Sequence, residues 1–250
     1  MALLKVLLLL LVLGVSVNSG VSRQKRIIGG RNCDDTERLY HVRLESSKDE
    51  AKILCGGSLI HPEWILTAAH CWIRGWSKVA TLKVHPWTAW QQIQVIQDKP
   101  VTYTHGGLQH DIMLLKLQTP VTDVPVAQLP DCLYRLKEGD VVQLAGEGTT
   151  TTGPDNERLS PGAPIPIHLQ CVDMNVVEVS QIHPTYGHIF YAGAPNKDIC
   201  YGDAGGAAMH NGKIYGVISF GHSDFACQRP PMIMDVCRYL DWIRYRTGIQ

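Results

Sequence analysis

An all-β domain closed by a single C-terminal helix is the fold class this sequence predicts, on three observations. Short apolar or alternating runs, Ile53-Leu54, Ile112 to Leu117, Val141 to Leu144 and Ile214 to Phe220, are broken again and again by Gly, Pro, Asn and Asp, which is the pattern of strand, turn and strand. Only near the C-terminus do apolar residues recur at helical spacing, Val236, Leu240 and Ile243 among charged neighbours with Gly248 as a stop, so one amphipathic helix is expected over 236–247. The length of 250 residues suits a single β unit with a sizeable core.

The ends and the cysteines place the chain in the secretory route. Lys5 precedes an almost wholly apolar run from Val6 to Val15, and Val17-Asn18-Ser19 offers small residues for cleavage, so 1–19 is read as a signal peptide; the run is too short to span a bilayer. Residues 20–26 then end in Arg23-Gln24-Lys25-Arg26 directly before the apolar Ile27-Ile28-Gly29-Gly30, the form of a propeptide cut by a processing protease after Arg26. Eight cysteines, without a C-x-x-C pair, indicate disulfides in an exported chain, but spacing alone leaves roughly a hundred connectivities open. Acidic and basic residues balance at 23 each, so no long-range field points to nucleic acid or a membrane surface.

Four segments carry the chemistry. They are Ile27-Ile28-Gly29-Gly30; Leu66-Thr67-Ala68-Ala69-His70-Cys71; His110-Asp111-Ile112-Met113-Leu114-Leu115-Lys116-Leu117; and Gly202-Asp203-Ala204-Gly205-Gly206. In this order they resemble the trypsin and chymotrypsin family of serine proteases, from Ile27 to about Arg246. The resemblance implies two six-stranded Greek-key barrels, an N-terminal one over about 27–132 and a C-terminal one over about 133–235, followed by the helix. It also implies disulfides Cys33 with Cys171, Cys55 with Cys71, Cys132 with Cys237, and Cys200 with Cys227.

Acyl transfer of this type needs a hydroxyl to attack, an imidazole to take its proton and a carboxylate to orient the imidazole. His70 and Asp111 match the base and the carboxylate, and Ser219 matches the serine that supports that carboxylate. Where the resemblance places the nucleophile stands Ala204, with a methyl group only. The backbone N–H groups of Gly202 and Ala204 match the oxyanion hole, and the freed amine of Ile27 matches the new N-terminus that pairs with Asp203. Asp198, Ser219, Gly221 and Pro231 match the substrate pocket, with Asp198 at the position that selects basic side chains. Pro231 and Ile233, and about three extra residues in 222–226, leave an open and a narrowed pocket as alternatives. Glu147 replaces the usual tryptophan of a G-W-G turn, and Ala207 the usual proline.

The functional expectation is a secreted, monomeric, proteolytically inactive homologue that binds or regulates an extracellular protein or peptide. The alternative is a trypsin-like serine endopeptidase, disabled by an engineered Ala204 or retaining weak activity through another hydroxyl such as Ser219 or Ser223. Drift at Ala207, Pro231, Ile233 and Glu147 favours natural loss of catalysis. The histidine pairs His183 with His188 and His105 with His110 lack metal-site spacing, so neither a metal nor a cofactor is expected. Trp72, Trp76, Trp87 and Trp90 are read as buried packing, with an exposed recognition patch as the alternative.

Overall fold

Fourteen strands among the described residues of this computed structural model form two antiparallel sheets. Residues 27–149, 151–158, 164–220 and 224–250 are described; the expected signal peptide, the propeptide with Arg26, and Gly221 and Ser223 lie outside them. The first sheet comprises β2 (His41–Lys48), β3 (Ala51–His61), β4 (Trp64–Thr67), β5 (Ser77–Leu82), β6 (Gln92–Val95), β7 (Val101–His105) and β8 (Leu108–Lys116). Its order is β6-β5-β2-β3-β4-β8-β7, so β5 returns past β3 and β4 to lie beside β2, a Greek-key path. The second half contributes β9 (Val141–Gly146), β10 (Gln170–His183), β11 (Gly187–Gly193), β12 (Ala207–His210), β13 (Lys213–Phe220) and β14 (Met232–Asp235). Because β9 pairs with both β10 and β12, these six strands close into a barrel, and the short β1 (Arg31–Asn32) adds to β10. The two-barrel architecture is met, with seven paired strands rather than six in the first half.

Strand patterning explains the layers. In β2, Val42, Leu44 and Ser46 are buried while Arg43 and Glu45 are only partly covered, the alternation of a strand with one face on a core. In β8 the run from His110 to Leu115 is buried without a break, since both of its faces are covered. Ile27 packs with Val142, Leu144 and Ile218 in the core of the second barrel, whereas Tyr239 and Ile243, near the C-terminus, belong to the core that fills the first.

The C-terminal segment differs from the continuous helix expected. Val236–Arg238 forms a tight 3-10 turn, capped by the Asp235 carboxylate accepting from the Cys237 N–H at 3.1 Å, and α1 (Leu240–Thr247) starts beyond Tyr239. The tighter turn brings Tyr239 into the core, where its hydroxyl accepts from the His188 N–H at 2.8 Å and lies 2.9 Å from His110 Nδ1. α1 ends at Gly248, whose left-handed φ of 76° lets its N–H close on the Arg244 carbonyl at 2.8 Å.

Two expectations need correction. Cys33–Cys171, Cys55–Cys71 and Cys132–Cys237 are disulfides, but Cys200 and Cys227 are free thiols. The Cys200 sulfur is buried 2.7 Å from the Thr149 hydroxyl whereas Cys227 is exposed, so one thiol is turned inward and the other lies at the surface. Trp87 and Trp90, expected to be buried, are 55% and 93% exposed. They precede β6, the outer edge of the sheet, where Ile93 and Val95 also face solvent. Trp72 is partly covered, with the Lys78 ammonium 4.6 Å from its ring centroid, a cation–π contact.

Replacing Tyr239 by Phe keeps the ring but removes the acceptor for the His188 N–H. Urea unfolding of Tyr239→Phe is expected to show a loss of about 1–3 kcal/mol with unchanged m-value, the cost of an unsatisfied buried donor.

Candidate active site

The two halves of the fold bring the sequence-predicted residues to one cleft. His70 lies on the 3-10 turn Ala69–Cys71 that follows β4, and Asp111 on β8 beside it. His70 Nδ1 sits 3.0 and 2.9 Å from the two carboxylate oxygens of Asp111, and the His70 N–H donates to the same group at 2.8 Å. From β13 of the other barrel, the Ser219 hydroxyl donates to Asp111 at 2.5 Å. The Asp111 N–H in turn donates to the Tyr186 carbonyl at 2.8 Å. Asp111 is therefore buried and held from both barrels, while the His70 imidazole, 37% exposed, faces the cleft and meets Phe220 edge-on at 6.4 Å. This fixes one imidazole orientation and leaves its far nitrogen towards the cavity.

Ala204 lines the same cavity, of about 340 Å³, with His70 and Ser219. Its carbonyl accepts from the Gly56 N–H at 2.7 Å, which ties the turn to β3. The N–H groups of Gly202 and Ala204 meet no acceptor among the described residues. Gly205, at φ 85°, admits no side chain: a Cβ would fall 2.2 Å from both the Gly56 carbonyl oxygen and the Thr67 hydroxyl.

Beneath this turn the Asp203 carboxylate is fully buried, accepting from the Gly148 N–H and the Cys200 N–H, each at 2.8 Å. Gly146 and Gly148 let it approach: a Cβ on either would come within 2.0 to 2.6 Å of its carboxyl group. No ion pair reaches Asp203 among the described residues. Burial, with lesser contributions from the negative charges of Asp198 and Glu147, pushes its pKa up to about 7 against the two amide donors. Glu147, the residue between the two glycines, is buried too but bound by Arg43, whose Nε and Nη2 donate to it at 3.0 and 2.5 Å; His41 Nε2 lies 3.8 Å away.

Of the expected substrate-pocket residues, Ser219 lines the cleft, whereas Asp198 and Pro231 do not. Asp198 is fully buried, and its carboxylate is taken by Arg158, which forms an ion pair with it through Nη2. Asp198 further accepts from the Cys227 N–H at 2.6 Å and the Ile199 N–H at 2.8 Å. Burial pushes the Asp198 carboxyl up, while the Cys227 amide and the Arg158 guanidinium pull it back. Arg158 Nε also donates to the Ile199 carbonyl at 3.0 Å. The cleft is thus lined by Arg158 and not by Asp198. Pro231 is not on its wall either: it is buried immediately before β14, its carbonyl accepting from the Ala192 N–H of β11. Gly221 lies outside the described residues.

Sequence reasoning missed Arg158. It is an isolated arginine in a polar loop, and only the buried carboxylate it meets gives it meaning. Two groupings of potential metal ligands, Cys55-His70-Cys71 and Cys33-Glu37-Cys171, are built on disulfide sulfurs, which cannot act as thiolate ligands.

An acid buried with a raised pKa holds its proton in the folded state over a pH range where the unfolded chain has lost it. Between about pH 4 and pH 7, folding therefore weakens as pH rises, and above 7 the effect levels off. For the uncleaved chain, the unfolding free energy is expected to fall by a few kcal/mol across this window, and Asp203→Asn is expected to flatten the slope; parallel denaturation series at pH 4.5, 5.5, 6.5 and 7.5 measure it.

With this geometry in place, the comparisons with known proteins are consistent. The trypsin family model matches residues 27–243. Anionic trypsin of Canis lupus familiaris is 30% identical, covering 95% of this chain and 96% of its own. Putative trypsin-6 of Homo sapiens is 30% identical over 95% and 96%, and glandular kallikrein of Sus scrofa is 32% identical over 88% and 95%. Likeness over nearly the full length of both partners, added to the two barrels and the cleft between them, establishes that this chain belongs to the trypsin family of serine proteases.

Proposed function

We propose that this chain is a secreted, proteolytically inactive member of the family that binds an extracellular protein or peptide through the cleft. The observation that carries this reading is the company Ala204 keeps. A base and its orienting carboxylate, His70 and Asp111, are in hydrogen-bonded register with Ser219, yet the side chain facing them is a methyl group. With no oxygen to deprotonate, His70 has no proton to accept and no acyl intermediate can form. Loss of the nucleophile costs on the order of 10⁶-fold in turnover, leaving the contribution of binding and of the free N–H groups of Gly202 and Ala204.

Secretion is supported by the apolar leader and by three disulfides. Maturation by cleavage after Arg26 is supported by the burial of Ile27 in the second core and by an Asp203 carboxylate with backbone donors but no cation among the described residues. A new α-amino group at Ile27 would supply that cation. A residual trypsin-like endopeptidase is disfavoured, because the carboxylate that would select basic substrates is occupied by Arg158.

The test is restoration of the oxygen. Protein cleaved after Arg26 and its Ala204→Ser variant are incubated with a fluorophosphonate probe. Covalent labelling is expected of the variant alone, blocked by His70→Ala in the same background. Labelling of the unmodified chain at a rate comparable to the variant would overturn the inactive reading.

A further inference from the structure

We propose that the cleft selects an uncharged apolar side chain on a peptide segment of its partner, and that Arg158 sets this preference by occupying Asp198 from within the chain. This rests on the reading of the cleft as the binding site and names the class of ligand it takes.

Arg158 is built into place on both sides. Its N–H donates to the Asp224 carbonyl at 2.6 Å, and the preceding Glu157 bridges Phe225. Further back, the Ala226 N–H donates to the Asn156 carbonyl at 2.8 Å. The segment carrying Arg158 is thus zipped to the segment that follows β13. The guanidinium and the carboxylate it meets are only 5% and 1% exposed, and Nε is committed to the Ile199 carbonyl.

Charge then decides between ligand classes. A lysine or arginine side chain entering the cleft would have to displace Arg158 from Asp198, leaving two cations competing for one buried carboxylate, and an unpaired buried charge is costly. An acidic side chain would meet a guanidinium already paired, in a cleft whose lining also includes the acidic residue Asp224. An apolar side chain displaces nothing. It meets Ile53, Leu54, Ile199, Tyr201 and Phe220 on the walls, and its burial is favourable at about 25 cal/mol per Å². The cavity of about 340 Å³ lies at the small end of ligand sites, which run from about 300 to 1,000 Å³, and suits one or two side chains. Gly202 and Ala204, lining residues whose N–H groups meet no acceptor among the described residues, suit a ligand that brings a backbone carbonyl, hence a peptide.

The experiment uses two kinds of probe on chain cleaved after Arg26. One is p-aminobenzamidine, a fluorescent cation that reports an accessible carboxylate. The others are N-acetyl tripeptide amides differing only in a Leu, Arg or Glu side chain, titrated by calorimetry. The wild type is expected to prefer the leucyl peptide by at least about tenfold and to leave p-aminobenzamidine unbound, whereas Arg158→Ala is expected to bind p-aminobenzamidine and to shift towards the arginyl peptide. Because Asp198 left unpaired could unfold the loop, Arg158→Ala with Asp198→Asn is tested in parallel. It is expected to keep the leucyl preference and gain no binding of the cation. Binding of p-aminobenzamidine, or preference for the arginyl or glutamyl peptide, by the wild type would overturn the proposal while leaving the cleft as the binding site. Failure of every probe on every folded variant would overturn the cleft reading itself, and the proposal with it.

Discussion

The Asp203 carboxylate is the constraint on which the cleft is built. A fully buried acid is tolerated only where backbone donors surround it, and here those donors come from two elements, the Gly148 amide after β9 and the Cys200 amide of its own loop. Holding the carboxylate holds the turn above it: the Asp203 carbonyl accepts from the Gly206 N–H at 3.0 Å, and the Gly205 N–H donates to the Ile218 carbonyl of β13 at 2.7 Å. Between these fixed points Ala204 is held by its own carbonyl, which accepts from the Gly56 N–H, and both Gly202 and Ala204 line the cleft. The shape of this turn is therefore set by satisfying one buried acid, whatever side chain residue 204 carries.

The same logic explains why the His70, Asp111 and Ser219 arrangement persists around a methyl group. Asp111 sits at the seam, receiving a hydroxyl from β13, an amide and an imidazole from the turn after β4, and giving its own amide to Tyr186 of the second barrel. Removing any partner would leave a buried carboxylate lacking a donor, at a cost of a few kcal/mol by ordinary reckoning for buried polar groups. Selection for a stable seam is thus enough to keep a catalytic-looking constellation, and its presence alone is no argument for turnover.

What was legible in the sequence follows from how local each signal is. The runs Ile112 to Leu117 and Ile214 to Phe220 mark β8 and β13 because burial and β-branching act residue by residue along one strand. The long β10 carries no such clear run. Its register shifts between Val176 and Glu178 and between Glu178 and Gln181 break the two-residue period. The motifs around His70, Asp111 and Asp203 located the cleft, since family resemblance preserves spacing. Arg158 was illegible because its partner is 40 residues away and nothing in a polar loop marks one arginine as buried. For Trp87 and Trp90 composition argued for the core, but they lie beside a sheet edge that no further strand covers among the described residues.

Three acids, Glu147, Asp198 and Asp203, lie buried behind the cleft, and their fates differ in a way that orders the whole site. Glu147 is neutralised by Arg43 from β2 and Asp198 by Arg158 from the loop after β9. Each of these pairs is supplied by the chain itself. Asp203 alone lacks a cation among the described residues, and the other two acids add to the cost of ionising it. An external positive charge therefore gains most at Asp203 and least at Asp198, where an incoming cation must compete with a guanidinium already in place. The acid in the pocket is closed from inside by Arg158, while the acid beneath the turn has only amide donors among the described residues. The proposed turn from cleavage to the recognition of apolar side chains would draw on both features: an acid beneath the turn with no cation of its own among the described residues, and an acid in the pocket already held by Arg158.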